Sequence, residues 1–291
     1  MIIGFIGDVH GKVFNAIAVA AMWQAVKGKR FDLLIQLGDL GAYPDPDRLD
    51  EAGKRYFELD PSQMDFQHLL QAQGRRAELL RKIRDYFASP IYFLRGNHED
   101  FEYLNQLAAD HATPSGPVNP FDLYRYVPDG TVMEFGDTRI AFLGGIETKT
   151  PDARSFDGQA YEALNDMGDD AFDILVTHDP PYGISVGFQG NLQGSRMVTE
   201  LIEQTQPTFH LSAHLHHLNG PRSYGRTTSL SLSGLDASAR WAPHDINYQP
   251  GCLATLDTET SILTPVTEEW LTTSRVKKFD PDTWFENFTS A

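Results

Sequence analysis

The sequence predicts an α/β fold in which strands alternate with helices and polar side chains gather at the carboxyl edge of a sheet. Three observations carry that expectation. Five short apolar runs each end abruptly at Asp, Asn or His, and helical periodicity fills intervals between them. A 291-residue chain with 41% apolar and 11% aromatic residues can also bury a sizeable core, which excludes disordered, collagen-like and linker proteins. No internal repeat, low-complexity tract or Gly/Ser linker divides the chain. One domain over 1–291 is therefore expected, with a helical insertion at about 42–90 and an aromatic tail at about 267–291.

Taken in order, Ile2 to Ile6 is a strand ending at Asp8, and Val13 to Val26 reads as a buried helix. That helix contains Asn15 and Gln24 and falls short of the roughly 20 residues a bilayer span needs, so no membrane partner is expected. Leu33 to Leu37 is a second strand, ending at Asp39. Leu69, Leu70, Leu79, Leu80, Ile83 and Phe87 recur at helical spacing and predict one long helix over Gln63 to Phe87. Ile91 to Leu94 then leads to Asn97. Val132 to Phe135, Gly136-Asp137 and Arg139 to Leu143 read as a β-hairpin. Ile174 to Val176 stops at His178, a helix spans Met197 to Gln204 ahead of Pro207, and Thr208 to Leu211 leads to His214. Leu230 to Ser233, Cys252 to Leu256 and Ser261 to Leu263 are expected to build another sheet from the second half. The tail from Thr267 carries Trp270, Trp284, Phe285 and Phe288, too much aromatic surface to be left free, and should dock on the body.

Forty acidic against twenty-four basic residues give a formal charge of -16, a field that repels nucleic-acid phosphates and anionic membranes. The single cysteine, Cys252, forms no internal disulfide and no cysteine-based zinc cluster; a buried small hydrophobe at a strand start is its expected role. The opening Met1 to Ile6 has no basic region and reaches Asp8 too soon for a signal peptide, which together with the lone cysteine suggests a cytoplasmic protein.

The polar strand ends form a ligand set. Asp8-Val9-His10 places a carboxylate and an imidazole within reach of one ion. Asp39 has two oxygens and can bridge two cations at the roughly 3.5–4 Å separation used in two-metal hydrolysis. Asn97 offers a neutral amide oxygen, and His178 with His214-Leu215-His216 completes a set of O and N donors without sulfur, suited to Mn, Fe or Zn. A lone strand-end Asp or His is more often a cap or turn former; the conjunction of five carries the reading. His217, His210 and His68 are taken as structural.

These residues resemble the calcineurin-like metallophosphoesterase superfamily, whose five motifs stand here as GDVHG, LGDLG, RGNHED, VTHDPP and SAHLHH. The resemblance spans roughly Met1 to Leu218. It implies a four-layer α/β/β/α sandwich of two mixed β-sheets flanked by helices, the metallo-dependent phosphatase fold, holding two divalent metal ions. One metal would take Asp8, His10, Asp39 and His216, the other Asp39, Asn97, His178 and His214. The implied reaction is hydrolysis of a phosphomonoester or phosphodiester by a metal-bridging hydroxide, without a protein nucleophile. His98 is the candidate general acid, since imidazole titrates near neutral pH, and Arg95 is a candidate for pairing with a substrate oxygen.

The departures from the pattern narrow the substrate. Ala213 replaces the glycine before the last histidine pair, a change tolerated if the backbone keeps negative φ. After Asp39 the chain runs Leu40-Gly41-Ala42-Tyr43-Pro44, without the further Asp and Arg of protein Ser/Thr phosphatases. Asp45 and Asp47 are expected to be solvated loop charges. VTHDPP with SAHLHH is also similar to RNA lariat debranching enzymes, and Arg222, Arg226 and Arg240 could form a basic rim, but the net charge disfavours nucleic acid. A small-molecule phosphoester or nucleotide-type substrate is the main expectation. A non-catalytic protein-binding scaffold of the same fold is the rival from another class. The run Gly187 to Gly194 predicts a mobile lip over the site, with Phe188 stacking on a substrate ring.

Overall fold

The computed structural model describes all residues except 59, 111–113, 188, 237–246, 275, 277–278 and 291, and the side chains of 52 and 56. The first part of the chain runs β1 (Ile2–Ile6), α1 (Val13–Lys27), β2 (Leu33–Gln36), α2 (Glu51–Phe57), α3 (Asp65–Leu70), α4 (Gly74–Tyr86), β3 (Ile91–Phe93), α5 (Phe101–Asp110), β4 (Gly116–Pro117) and β5 (Tyr124–Tyr126). The middle runs β6 (Val132–Phe135), β7 (Thr138–Leu143), α6 (Gly158–Asp166), β8 (Ile174–Thr177), β9 (Ser185–Val186), β10 (Leu192–Gln193), α7 (Arg196–Thr205) and β11 (Phe209–Ser212). It closes with β12 (Asn219–Tyr224), β13 (Thr227–Ser231), β14 (Leu253–Asp257), β15 (Ile262–Pro265), α8 (Glu269–Thr273) and α9 (Pro281–Ser290).

Two mixed sheets form the centre. The seven-stranded sheet has the order β15-β14-β1-β2-β3-β5-β4 and the six-stranded sheet β12-β13-β11-β8-β7-β6. Three apolar clusters separate four layers. Ile3, Phe5 and Ile35 of the first sheet meet Phe142, Val176 and Leu211 of the second in the middle cluster. Phe14, Ile17, Phe66, Leu80 and Phe285 pack helices on the outer face of the first sheet, and Leu164, Val198 and Leu201 do the same for the second. β1 and β2 are buried on both faces, which is why they read as continuous apolar runs rather than alternating ones.

Two expectations change. The long helix over Gln63 to Phe87 is broken into a 3-10 turn at Pro61–Met64, α3 and α4. Gly74 takes φ 53°, a left-handed value that interrupts the helical path at little cost to glycine. The last two strands do not join the second sheet: β14 pairs antiparallel with β1, Ile6 opposite Leu253, so the C-terminal part of the chain completes the first sheet. Within the run Gly187 to Gly194, Leu192 and Gln193 pair with Val186 and Ser185, while Phe188 lies outside the described residues.

The aromatic tail docks as expected. Phe285 is fully buried and meets Phe14 edge to face at 5.9 Å, and Arg76 holds Asp282 by two bonds of 2.7 Å. Cys252 is buried immediately ahead of β14. No helix among the described residues is long and apolar enough to cross a membrane.

Candidate metal centre

β1, β2 and β3 run parallel in one sheet, as do β8 and β11 in the other, and the sandwich brings their carboxyl ends together. The loops there carry Asp8 and His10, Asp39, Asn97, His178, and His214 with His216. Their backbone is unusual. His10 (φ 48°), Asp39 (φ 52°), His214 (φ 67°) and His216 (φ 57°) are all left-handed, at a typical cost of about 1–3 kcal/mol each, a kind of strain that collects at functional sites. Two motif glycines are demanded by close approach. A Cβ on Gly38 would lie 2.5 Å from His178 Nδ1, and one on Gly96 would lie 2.1 Å from Asp39 Oδ1. Ala213 stays outside the left-handed region, so its methyl group is accommodated; the left-handed residue is His214 beside it.

Two groups of donors form and share Asp39. Asp8, His10, Asp39 and His216 make one and Asp39, His178 and His214 the other, the ligand atoms of each lying within 4.8 Å of one another. Asn97 Oδ1 joins the second, 3.1 Å from His178 Nε2. The fit to cations follows from what is left unpaired. Asp39 Oδ1 accepts the amides of Asn97 and His98, both at 2.7 Å, while its buried Oδ2 has no hydrogen-bond partner. Asp8 repeats the arrangement: Oδ1 accepts the His214 amide at 3.2 Å, and Oδ2 lies 3.0 Å from His216 Nε2 outside hydrogen-bonding geometry. His10 Nε2 and His216 Nε2 face each other at 3.1 Å. Buried carboxylate oxygens without donors and converging imidazole nitrogens are the pattern a divalent cation satisfies.

The electrostatics agree. Burial alone would raise the pKa of Asp39, but the imidazoles of His178, His10 and His98 outweigh it and hold it well below the usual range. Asp8 is lowered against burial chiefly by His216. Burial pushes His10 and His214 down to about 4, so both are neutral with a lone pair to offer. Against its burial, His178 is pushed up to about 10 by Asp39 and Asp8, the same carboxylates that would draw a cation.

Several positioning residues were not assigned from sequence. His178 Nδ1 donates to Leu37 O at 2.8 Å, which turns Nε2 toward Asp39 and Asn97. Buried Gln36 donates to Gly7 O at 3.1 Å, joining the loops that carry Asp8 and Asp39. Glu99 accepts the amides of Leu40 at 2.8 Å and Ala42 at 2.7 Å, tying the Asp39 loop to the Asn97 loop. Its place in Gly96-Asn97-His98-Glu99 was the available signal. His98 Nδ1 meets Asp50 Oδ2 at 2.5 Å, and its ring centroid is 5.7 Å from that of His10. Burial lowers the His98 pKa, but Asp50 and Asp39 reverse the direction and raise it. Asp50 lies immediately ahead of α2, where no spacing rule pointed to it.

Arg95 is corrected. Its Nε donates to Asp129 Oδ2 at 2.8 Å, Nη1 to Ala153 O at 3.0 Å and Nη2 to Ser155 O at 2.7 Å. The guanidinium is buried against Asp129 and braces the loops that carry Asp129, Ala153 and Ser155. Of the three arginines of the expected rim, Arg226 pairs with Asp169 and Asp170, Arg222 bonds Gly183 O, and Arg240 lies outside the described residues. Asp45 and Asp47 are exposed, and Asp45 caps a 3-10 turn through the Asp47 amide at 2.9 Å. His210 sits between Thr177 Oγ1 at 2.9 Å and Ser229 Oγ at 2.8 Å, and His68 meets Asp65, both apart from the donor groups.

UPF0046 protein K07C11.7 of Caenorhabditis elegans is 34% identical over 179 residues, 55% of this chain and 58% of that protein, so the chain spans less than two thirds of this curated relative. TT1561 of Thermus thermophilus shares the fold, with a TM-score of 0.51 and 16% identity over 91% of this chain and 98% of that one. A second solved chain has a TM-score of 0.54 and 12% identity over the same shares. The pattern of the calcineurin-like phosphoesterases matches residues 1–218, the stretch that holds both donor groups. The chain belongs to the calcineurin-like phosphoesterase family.

Proposed function

We propose that this chain is a dinuclear metal-dependent phosphoesterase that hydrolyses a phosphomonoester or phosphodiester. The observation that carries the reading is the pair of donor groups joined through Asp39, whose Oδ2 is buried and without a hydrogen-bond partner. Asp8, His10, Asp39 and His216 would hold one cation and Asp39, Asn97, His178 and His214 the other. Oxygen and nitrogen donors without sulfur suit Mn, Fe or Zn. Two divalent cations, when bound, supply Lewis acidity that activates water and neutralises charge on the phosphoryl oxygens.

The chain's own residues supply the rest. His98 holds a proton for the departing alkoxide, with Nδ1 fixed on Asp50 and Nε2 left to deliver it. Glu99 and the amides of Asn97 and His98 keep the Asp39 carboxylate aimed inward. The test is metal analysis of purified protein together with hydrolysis of bis-p-nitrophenyl phosphate and p-nitrophenyl phosphate in Mn, for wild type and Asp39→Asn. Two metals per chain, and cleavage lost in the variant, are expected. A folded protein that binds no metal and cleaves neither ester with Mn, Fe or Zn would turn the reading toward a binding scaffold.

A further inference from the structure

His210 is fully buried in β11, yet its ring carries two polar atoms into the sheet. Leu211 and Val176 face the middle apolar cluster, so His210 and Thr177 project from the opposite face of the six-stranded sheet, where Leu175 packs against the helices. There β8, β11 and β13 lie side by side, with His210 opposite Ser229 in the parallel register. Both ring nitrogens are taken: Nε2 is 2.9 Å from Thr177 Oγ1, and Nδ1 is 2.8 Å from Ser229 Oγ. What lies beyond fixes the direction of these bonds. Thr177 Oγ1 donates its single proton to Asp179 O at 2.6 Å, and so it accepts from His210 Nε2–H. Burial pushes the His210 pKa down to about 3, which keeps the ring neutral and leaves Nδ1 to accept from the Ser229 hydroxyl.

We propose that His210 is a positioning residue for the second donor group, carrying a one-way hydrogen-bond chain from Ser229 through Thr177 to the turn that aims His178. The inference rests on the phosphoesterase reading, which makes His178 a metal ligand, and deepens it. The chain ends on Asp179 O, in the residue after His178. Three further bonds meet on this stretch: the Ala213 amide donates to His178 O at 3.1 Å, the Glu147 amide to Asp179 Oδ2 at 2.9 Å, and His178 Nδ1 to Leu37 O at 2.8 Å. The Thr177 bond closes the turn on itself, across the ligand. With its oxygen loaded by His210 Nε2–H, the threonine hydroxyl keeps its proton on Asp179 O, and donors in series strengthen one another. Without His210 the hydroxyl is free to rotate away, which leaves a buried carbonyl unpaired beside the ligand.

The test is nuclear magnetic resonance of the full chain with isotope-labelled histidine, first without metal and then through a zinc titration. Wild-type His210 should show the Nε2–H tautomer. His210→Gln keeps an amide N–H near the place of Nε2, whereas His210→Asn keeps an acceptor near that of Nδ1 and loses the bond to Thr177. Each loses the ring and one bond, so a role in packing alone would affect them alike. Exchange of the His178 Nδ1 proton should quicken about tenfold in His210→Asn and in Thr177→Val, the equivalent of one hydrogen bond, and stay within about twofold of wild type in His210→Gln. Zinc affinity read at His178 and His214 should fall about tenfold in the same two variants, against less than about threefold at His10 and His216. Thr177→Val keeps the branched shape and carries the test if His210→Asn fails to fold. Equal effects of Gln and Asn, unchanged His178 exchange in Asn and Val, both zinc sites weakened alike or neither, or an Nδ1–H tautomer in wild type overturns the proposal. A wild type that takes up no zinc counts against the phosphoesterase reading, and the exchange rates, measured without metal, then decide the role of His210 by themselves.

Discussion

Replacing Gly96 with alanine puts a methyl group where the fold has no room for one. The new Cβ would lie 2.1 Å from Asp39 Oδ1 and 2.2 Å from the Asp39 amide nitrogen, against an ordinary contact of about 3.4 Å or more. Neither neighbour is the loose end of a flexible side chain, so relief requires moving the shared carboxylate or its loop by about an ångström. Such a shift breaks the bonds from the Asn97 and His98 amides to Oδ1, both 2.7 Å. Each is a hydrogen bond to a charged group worth about 1.5–3 kcal/mol, so a loss of about 3–6 kcal/mol follows if both go. Where the fold survives, a misplacement of this size in a catalytic group costs about a hundredfold in rate. Urea unfolding, metal content by mass spectrometry and hydrolysis of bis-p-nitrophenyl phosphate measure the three effects. A Gly96→Ala protein as stable as wild type, with two metals and full activity, would refute the placement of Asp39.

Asp50→Asn should move the alkaline limb of the activity profile to lower pH. Burial lowers the His98 pKa and Asp50 reverses it to a raised value, so removing the carboxylate lets His98 lose its acid proton earlier; an unmoved limb would show that His98 is not the acid. The signs for stability follow. The raised His98 contributes stability that is complete below its ordinary value of 6.5 and is lost as pH rises through the folded value. The lowered Asp50 contributes stability present above 3.8 and lost as pH falls through its folded value. Arg95→Met should cost about 3–5 kcal/mol in urea unfolding by stranding buried Asp129, while KM of the folded fraction stays unchanged. A raised KM at wild-type stability would identify Arg95 as a substrate contact. Phe285→Ala should lose about 3–5 kcal/mol, because the ring is fully buried against Phe14, with activity per folded molecule retained. A change under 1 kcal/mol, roughly what a surface site shows, would mean that the terminal helix is not part of the core.

The candidate donor set was legible in the sequence because each member sits within a few residues of a strand end, and strands buried on both faces announce themselves as short apolar runs. Asp8 after Ile2–Ile6, Asp39 after Leu33–Gln36 and His178 after Ile174–Thr177 needed no tertiary information to be found. The glycines beside them were legible as motif letters, though the reason for them, a backbone passing within contact of His178 or Asp39, is a matter of packing. Sheet membership was harder. Leu253–Asp257 pairs with Ile2–Ile6 across almost the whole chain, and no local pattern records a partner at that distance.

The same limit governs the chemistry around the ligands. Asp50 was one acidic residue among many ahead of α2 until folding set it 2.5 Å from His98, and Arg95 looked free for phosphate until the fold supplied Asp129, Ala153 and Ser155. Residue type and local spacing determine which atoms are able to bind a cation or carry a proton, and those are written along the chain. Which charges end up facing each other is decided by contacts between segments far apart in sequence. An ion pair's partner, and hence a pKa, is a property of distance in space, which only the folded chain sets.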